Sequence, residues 1–285
     1  MKKIFITSVT GTQGGKIANS FKNAGFKVSS ITRQDIDLGE CEFAVGDFSD
    51  TPKLASLMKD SEAVVLTLPL IFDSESVSEI THQIITGAKA ANVNKIIFNT
   101  SIPLGQSKTG YAAIDVKHDS LNILKESGLD IITLMPTIYL DNLASPFLLP
   151  VIKDSRTIPY PIPNDIEFEW ISQENLGRYC VAALEEETLI GEKILITNRD
   201  RCSKNDITKL IGNAQKTKIS YVPISPDQFE QNLIPVLGEY VAREIANLYR
   251  GVNENKNDFI NYNHEEFLSS VELQTTAQWV NSIKW

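Results

Sequence analysis

Cysteine is scarce and scattered in this sequence. Its three copies, Cys41, Cys180 and Cys202, are odd in number and form no CxxC pair, which argues against a disulfide scaffold or a thiolate zinc site. The three histidines (His82, His118, His264) are equally isolated. Long hydrophobic runs are missing too. The most apolar stretch, Ala63 to Phe72, is broken by Thr67 and Pro69, whereas a membrane span needs about 20 apolar residues. The opening segment offers only Ile4-Phe5-Ile6 between lysines and polar residues, too short for the core of a signal peptide. The expectation is a reduced, cytoplasmic protein with no membrane partner. Basic charge is also short: 27 Lys and Arg stand against 36 Asp and Glu, for a net charge of −9, and neither half has a basic surplus. Direct nucleic-acid binding, which draws on clustered cations, is therefore not expected. Apolar content of 42% and charged content of 22% are those of an ordinary folded chain.

What is present is a rhythm. Ile4-Phe5-Ile6 reads as a strand that runs into Thr7-Ser8 and then Thr10-Gly11-Thr12-Gln13-Gly14-Gly15. Ile17, Ala18 and Phe21 recur at helical spacing, and Gly25 falls where a helix ends. Strands are expected at Val28–Ile31, Ala44–Val45, Ala63–Leu68, Lys95–Phe98 and Asp130–Leu134. Between them, helices are expected from Ser49-Asp50 to Met58, from Ser74 or Ser76 to Ala91, and from Asp115 to Ser127. The strands are apolar without in–out alternation, as in parallel sheets covered by helices on both faces. After Pro136, Pro146, Pro150, Pro159, Pro161 and Pro163 argue against long regular elements. Helices Glu174–Leu184 and Ser203–Ile211, strands Lys193–Ile196 and Ile219–Val222, and a helical, polar remainder complete the reading.

A glycine turn between a first strand and a first helix suits a dinucleotide pyrophosphate: the backbone approaches closely and the helix offers free N–H groups. GxGxxG is absent here. The related GxxGxxG is matched as Ser8-x-x-Gly11-x-x-Gly14, with serine in the first glycine position. The same pattern also fits an ordinary tight turn. Arg33 closes the second strand, 19 residues after Gly14, where an arginine holds a ribose 2′-phosphate and an acidic residue a 2′-hydroxyl. Arg33 thus favours NADP, with NAD possible, unless it is a solvated arginine paired with Asp35 or Asp37. Asp47-Phe48 suits an adenine, or simply starts a helix. Thr67-Leu68-Pro69 ends the fourth strand at the ligand-binding edge, or merely terminates it.

Together these residues resemble the NmrA-like family of atypical short-chain dehydrogenases/reductases. The matching pieces are Thr10 to Gly15, Arg33, Gly46-Asp47-Phe48, Ala88 to Val93, Ile96 to Ser101, Lys125 to Leu134 and Tyr139 to Asn142, then Trp170 to Leu184, Tyr221 to Phe229 and Gln274 to Val280. The resemblance implies a Rossmann-like doubly wound parallel α/β sheet with a smaller C-terminal α+β substrate lobe. Residues 1–150, completed by about 166–200, would bind NAD(P); residues 201–285, with 145–165, would form the lobe. It implies either an NADPH-dependent reductase acting on a small quinone-like or dye acceptor, or a redox sensor that binds cofactor and controls a partner protein, as a monomer or homodimer. The cofactor set would be Ser8, Thr10, Gly11, Thr12, Gln13, Gly14, Arg33, Asp47, Phe48, Thr67, Leu68, Pro69, Ser101 and Lys117.

The Tyr-x-x-x-Lys pair of orthodox short-chain dehydrogenases is missing, since Tyr111 precedes Lys117 by six residues. Lys117 and Tyr139 are the candidate catalytic residues. Lys117 would bind ribose and supply a proton or a positive field, unless it is a solvated helix lysine. His118 beside it could serve instead, but a helix does not aim neighbours the same way. Tyr139 would line the cleft, or sit in the core. Asn99 and Ser101 follow the fifth strand and could touch cofactor or substrate.

Overall fold

A computed structural model of the chain describes residues 2–255 and 269–285. Seven parallel strands form the central sheet: β1 (Lys3–Ile6), β2 (Lys27–Thr32), β3 (Glu42–Val45), β4 (Ser61–Thr67), β5 (Lys95–Asn99), β6 (Asp130–Pro136) and, far along the chain, β10 (Lys193–Ile196). Their order is β10-β6-β5-β4-β1-β2-β3. Helices α1 (Thr12–Asn23), α2 (Thr51–Met58), α3 (Ser74–Ala90), α4 (Ala112–Glu126) and α6 (Gln173–Glu185) cover its faces.

The absence of alternation in the strands has its cause here. Successive side chains point to opposite faces, and both faces are dry. Ile4 and Ile6 join one core with Val65, Ile97 and Leu176. Phe5 joins the other with Val64, Leu66 and Phe98. All of these are fully or almost fully buried.

Helix boundaries follow capping chemistry. Asp50 caps α2 by accepting from the Lys53 backbone N–H. The cap of α3 is Asp73, which accepts from Ser76 N–H at 2.8 Å, rather than Ser74 or Ser76. Helix α4 starts at Ala112, three residues before the expected Asp115. The Asp115 carboxylate lies in the first turn and accepts from Thr109 and Gly110 N–H, so it closes the preceding loop instead of capping the helix.

Between Pro136 and Ile171 the elements are short, as the prolines require. Strand β7 (Ile138–Tyr139) leads into a 3-10 turn at Leu140–Ala144, α5 (Leu148–Ser155), β8 (Thr157–Tyr160) and β9 (Trp170–Ile171). Then come α7 (Lys204–Gln215), β11 (Ser220–Pro223), α8 (Pro226–Leu237), α9 (Glu239–Glu254) and α10 (Thr276–Ser282). Strand β7 pairs with β9 and β8 with β11, both parallel and both across long sequence gaps. These elements share a third core around Tyr160, Trp170, Phe229, Tyr249 and Trp279. The part of the expected helical tail between residues 256 and 268 lies outside the described residues. No helix among the described residues is long and apolar enough to cross a membrane.

Candidate functional site: a cleft at the carboxyl ends of the strands

In a doubly wound sheet the crevice opens where the strand order reverses, here between β1 and β4. A cleft of about 1700 Å³ lies there, larger than an ordinary small-molecule pocket. Its walls include all fourteen residues expected to hold cofactor, together with Tyr139.

The turn after β1 shows how serine serves in place of glycine. Ser8 takes a left-handed backbone with φ +57, a conformation that costs a non-glycine residue roughly 1 kcal/mol. Its hydroxyl donates to the Thr67 carbonyl at 3.1 Å, and its own carbonyl accepts from Gly11 N–H at 2.9 Å. The turn therefore closes as a glycine turn would. Gly14 has no such latitude: a Cβ there would lie 2.1 Å from the Ser8 carbonyl oxygen. The N-cap of helix α1 is Gly11, which has no side chain to cap it, and the first N–H groups of the helix are left free toward the cleft.

Arg33 is exposed at the end of β2 and pairs with no carboxylate among the described residues. The anticipated alternatives are occupied or apart: Asp37 accepts from Gly39 N–H at 2.8 Å. Asp47 accepts from the Ser49 backbone and hydroxyl, bonds that hold its carboxyl below the usual range. Phe48 packs half-buried against the core beneath.

Lys117 projects from α4 into the cleft. No carboxylate pairs with it among the described residues. Burial pushes its amine from the ordinary 10.5 down to about 8. His118 is not part of the cleft wall; its Nε2 is buried with no partner among the described residues, and burial lowers its pKa. Tyr111 also points elsewhere, donating to Glu254 Oε1 at 2.9 Å across to α9.

The cleft floor is a polar cluster. Gln13 Oε1 accepts from Asn99 Nδ2 (2.8 Å), the Ser101 hydroxyl (2.9 Å) and the Tyr139 hydroxyl (3.0 Å). Desolvation raises the Tyr139 phenol well above its ordinary value. Ser101, like Ser8, has positive φ, at +64. Asn99 is buried behind this floor.

Sequence reasoning missed the opposite wall. Asp141 accepts from Gln173 N–H at 2.8 Å at the start of α6, and burial raises its carboxyl. Gln173 in turn reaches Thr12 of α1 at 3.3 Å. Phe147, Phe168, Glu169 and Tyr249 complete the wall from three separate segments. Lys204 pins the 163–166 loop beside it, donating to the carbonyls of Pro163, Asn164 and Ile166. Asp141 and Gln173 lie in segments that match the family, but nothing local marked them as cleft residues, and Lys204 was foreshadowed only as the first residue after the expected helix start at Ser203. Among the described residues no group of His, Cys, Asp or Glu could hold a metal ion.

Sheet order, crossover helices and switch-point cleft define a Rossmann-type α/β protein. The NmrA-like family model matches residues 1–279, and the chain belongs to that family. No curated protein sequence matches it. Among solved structures, the fold is shared with a nucleoside-diphosphate-sugar epimerase from Staphylococcus aureus (19% identity, 98% of this chain and 99% of that one, TM-score 0.76). It is also shared with triphenylmethane reductase from Citrobacter sp. in complex with NADP(H) (14% identity, 98% and 99%, TM-score 0.76). A third is the NADPH-dependent quinone oxidoreductase of Escherichia coli with NADPH (18% identity, 98% and 99%, TM-score 0.75).

Proposed function

We propose that this protein is an NADPH-dependent reductase that passes hydride to a quinone or a related conjugated acceptor. The observation that carries the proposal is one cleft joining an uncapped helix N-terminus with an arginine and a cleft-facing lysine that pair with no carboxylate among the described residues. The residues fit the cofactor. Gly14 keeps the backbone clear of any side chain, the first turn of α1 offers N–H groups to a pyrophosphate, and Arg33 offers a guanidinium to a 2′-phosphate. Three structural relatives, the two reductases above and a leucoanthocyanidin reductase of Vitis vinifera, are complexes with NADP(H). In this reading, residues 1–150 with 166–200 form the cofactor half and the remainder the acceptor lobe.

When bound, NADPH supplies the hydride, a reaction no side chain performs. Lys117 holds a proton that is easier to release than that of a free lysine, because its cation is poorly solvated. It can give that proton to an acceptor oxygen that gains negative charge, or steady the charge as a cation. Tyr139 sits where cofactor and acceptor halves meet and orients what lies above the floor. Phe147, Phe168 and Tyr249 give the acceptor aromatic side chains to pack against. The overall change is quinone plus NADPH plus a proton to hydroquinone plus NADP.

The test is purified protein mixed with NADPH and a panel of quinones, dyes and aldehydes, followed by loss of nicotinamide absorbance. Oxidation above background supports a reductase. Tight NADPH binding with no oxidation across the panel overturns it in favour of a sensor that regulates a partner protein.

A further inference from the structure

The orientation of a glutamine side chain decides what the cleft floor offers a ligand. An amide's oxygen and nitrogen are told apart by the network around them, and here the network leaves one solution. The Ser101 backbone N–H can only donate, and it meets Asn99 at 3.0 Å. The group it meets must therefore be Asn99 Oδ1. Asn99 Nδ2 then lies on the other branch, where it donates to Gln13 at 2.8 Å and to the Thr67 hydroxyl at 3.1 Å. The group of Gln13 facing it must be the oxygen. Two hydroxyls, of Ser101 and Tyr139, meet that same oxygen and so must donate to it.

Two consequences follow for the cleft. The Gln13 amide nitrogen keeps two N–H groups with no acceptor among the described residues, on a side chain that lines the cleft. The Ser101 and Tyr139 hydroxyls have spent their hydrogens on Gln13, so toward a ligand they present lone pairs. The floor is thus a donor beside acceptors, the complement of a primary carboxamide. Building on the reductase reading, we propose that Gln13 sets the polarity of this subsite and reads the carboxamide of the nicotinamide ring. Gln13 donates to the carboxamide oxygen, and Tyr139 or Ser101 accepts from its NH2. Gln13 is a specificity and positioning residue, and the Tyr139 proton is committed to holding it.

The experiment compares affinities, by titration, of NADP, its thionicotinamide analogue (a weaker acceptor in place of the carbonyl) and its 3-acetylpyridine analogue (a methyl in place of NH2). The wild-type protein is expected to prefer NADP to each analogue by about three- to tenfold, the effect of one hydrogen bond. Gln13→Glu keeps an oxygen for all three inner donors but has no N–H to give. Its preference for NADP over the thio analogue is expected to fall to near unity, with the thermal midpoint close to wild type. The two ligands carry the same charge, so the added carboxylate cancels from the ratio. Gln13→Leu is expected to lose the same discrimination, whatever its stability. Equal affinity of wild type for NADP and both analogues overturns the proposal, as does discrimination that persists in Gln13→Glu. If wild type binds none of the three, the cofactor reading has failed and this one with it.

Discussion

Lys117 permits a prediction in which stability and function move in opposite directions. The change is Lys117→Met, which keeps the stem and removes the ammonium. Moving an amine from its ordinary 10.5 to about 8 corresponds to about 3 kcal/mol at roughly 1.4 kcal/mol per tenfold. The side chain keeps partial contact with cleft water, so about 2 kcal/mol is the better expectation. The sign follows from which form folding favours. The folded state disfavours the cation, so the penalty is fully present below about pH 8 and fades as pH rises toward 10.5. The methionine variant should therefore be more stable than wild type by about 2 kcal/mol near pH 7, with the difference shrinking above pH 8. Urea unfolding of the cofactor-free protein, at matched pH values, measures it. A variant that is less stable at neutral pH, or whose gain is independent of pH, refutes the reasoning that Lys117 is an uncompensated cation. The same variant should reduce quinones more slowly by at least about tenfold, because the proton must come from water. Wild-type turnover should fall as pH rises through about 8, as the ammonium is lost, while Lys117→Arg should show no such fall.

Other perturbations test separate parts of the argument. Arg33→Ala should weaken NADPH by about ten- to a hundredfold, from a lost charge-assisted bond of about 1.5–3 kcal/mol, and leave NADH nearly unchanged in a fluorescence titration. Equal weakening of both would remove the 2′-phosphate assignment. Gly14→Ala should destabilise by more than about 3 kcal/mol, since its Cβ would lie 2.1 Å from backbone that cannot yield; denaturant midpoints read this directly. Lys204→Met should cost about 2–3 kcal/mol by stranding three loop carbonyls. It should also speed proteolysis of the 163–169 segment, checked by mapping the cleavage sites.

Much of this architecture is written in local chemistry. Strands that are apolar on both faces and separated by amphipathic stretches demand a parallel sheet with helices on each side, because no other arrangement hides both faces. The turn Ser8 to Gly14, Arg33 after β2, and Thr67-Leu68-Pro69 after β4 all fall at strand ends, so the same pattern that locates the strands also locates one wall of the cleft. The cap of α3 and the start of α4 were less legible, because Asp73 competes with two nearby serines and Asp115 serves the loop before it. Tertiary structure alone decided the rest. The pairing of β7 with β9 and β8 with β11, and the meeting of Phe147, Phe168 and Tyr249 on one wall, depend on segments far apart in the chain. Their contact is chosen by shared burial, not by any local preference. Lys117 and His118 are adjacent in sequence, and only packing decides that the lysine meets the cleft and the histidine does not. The direction of the Gln13 amide is likewise invisible in the sequence, since it is set by one backbone N–H at Ser101 acting through Asn99.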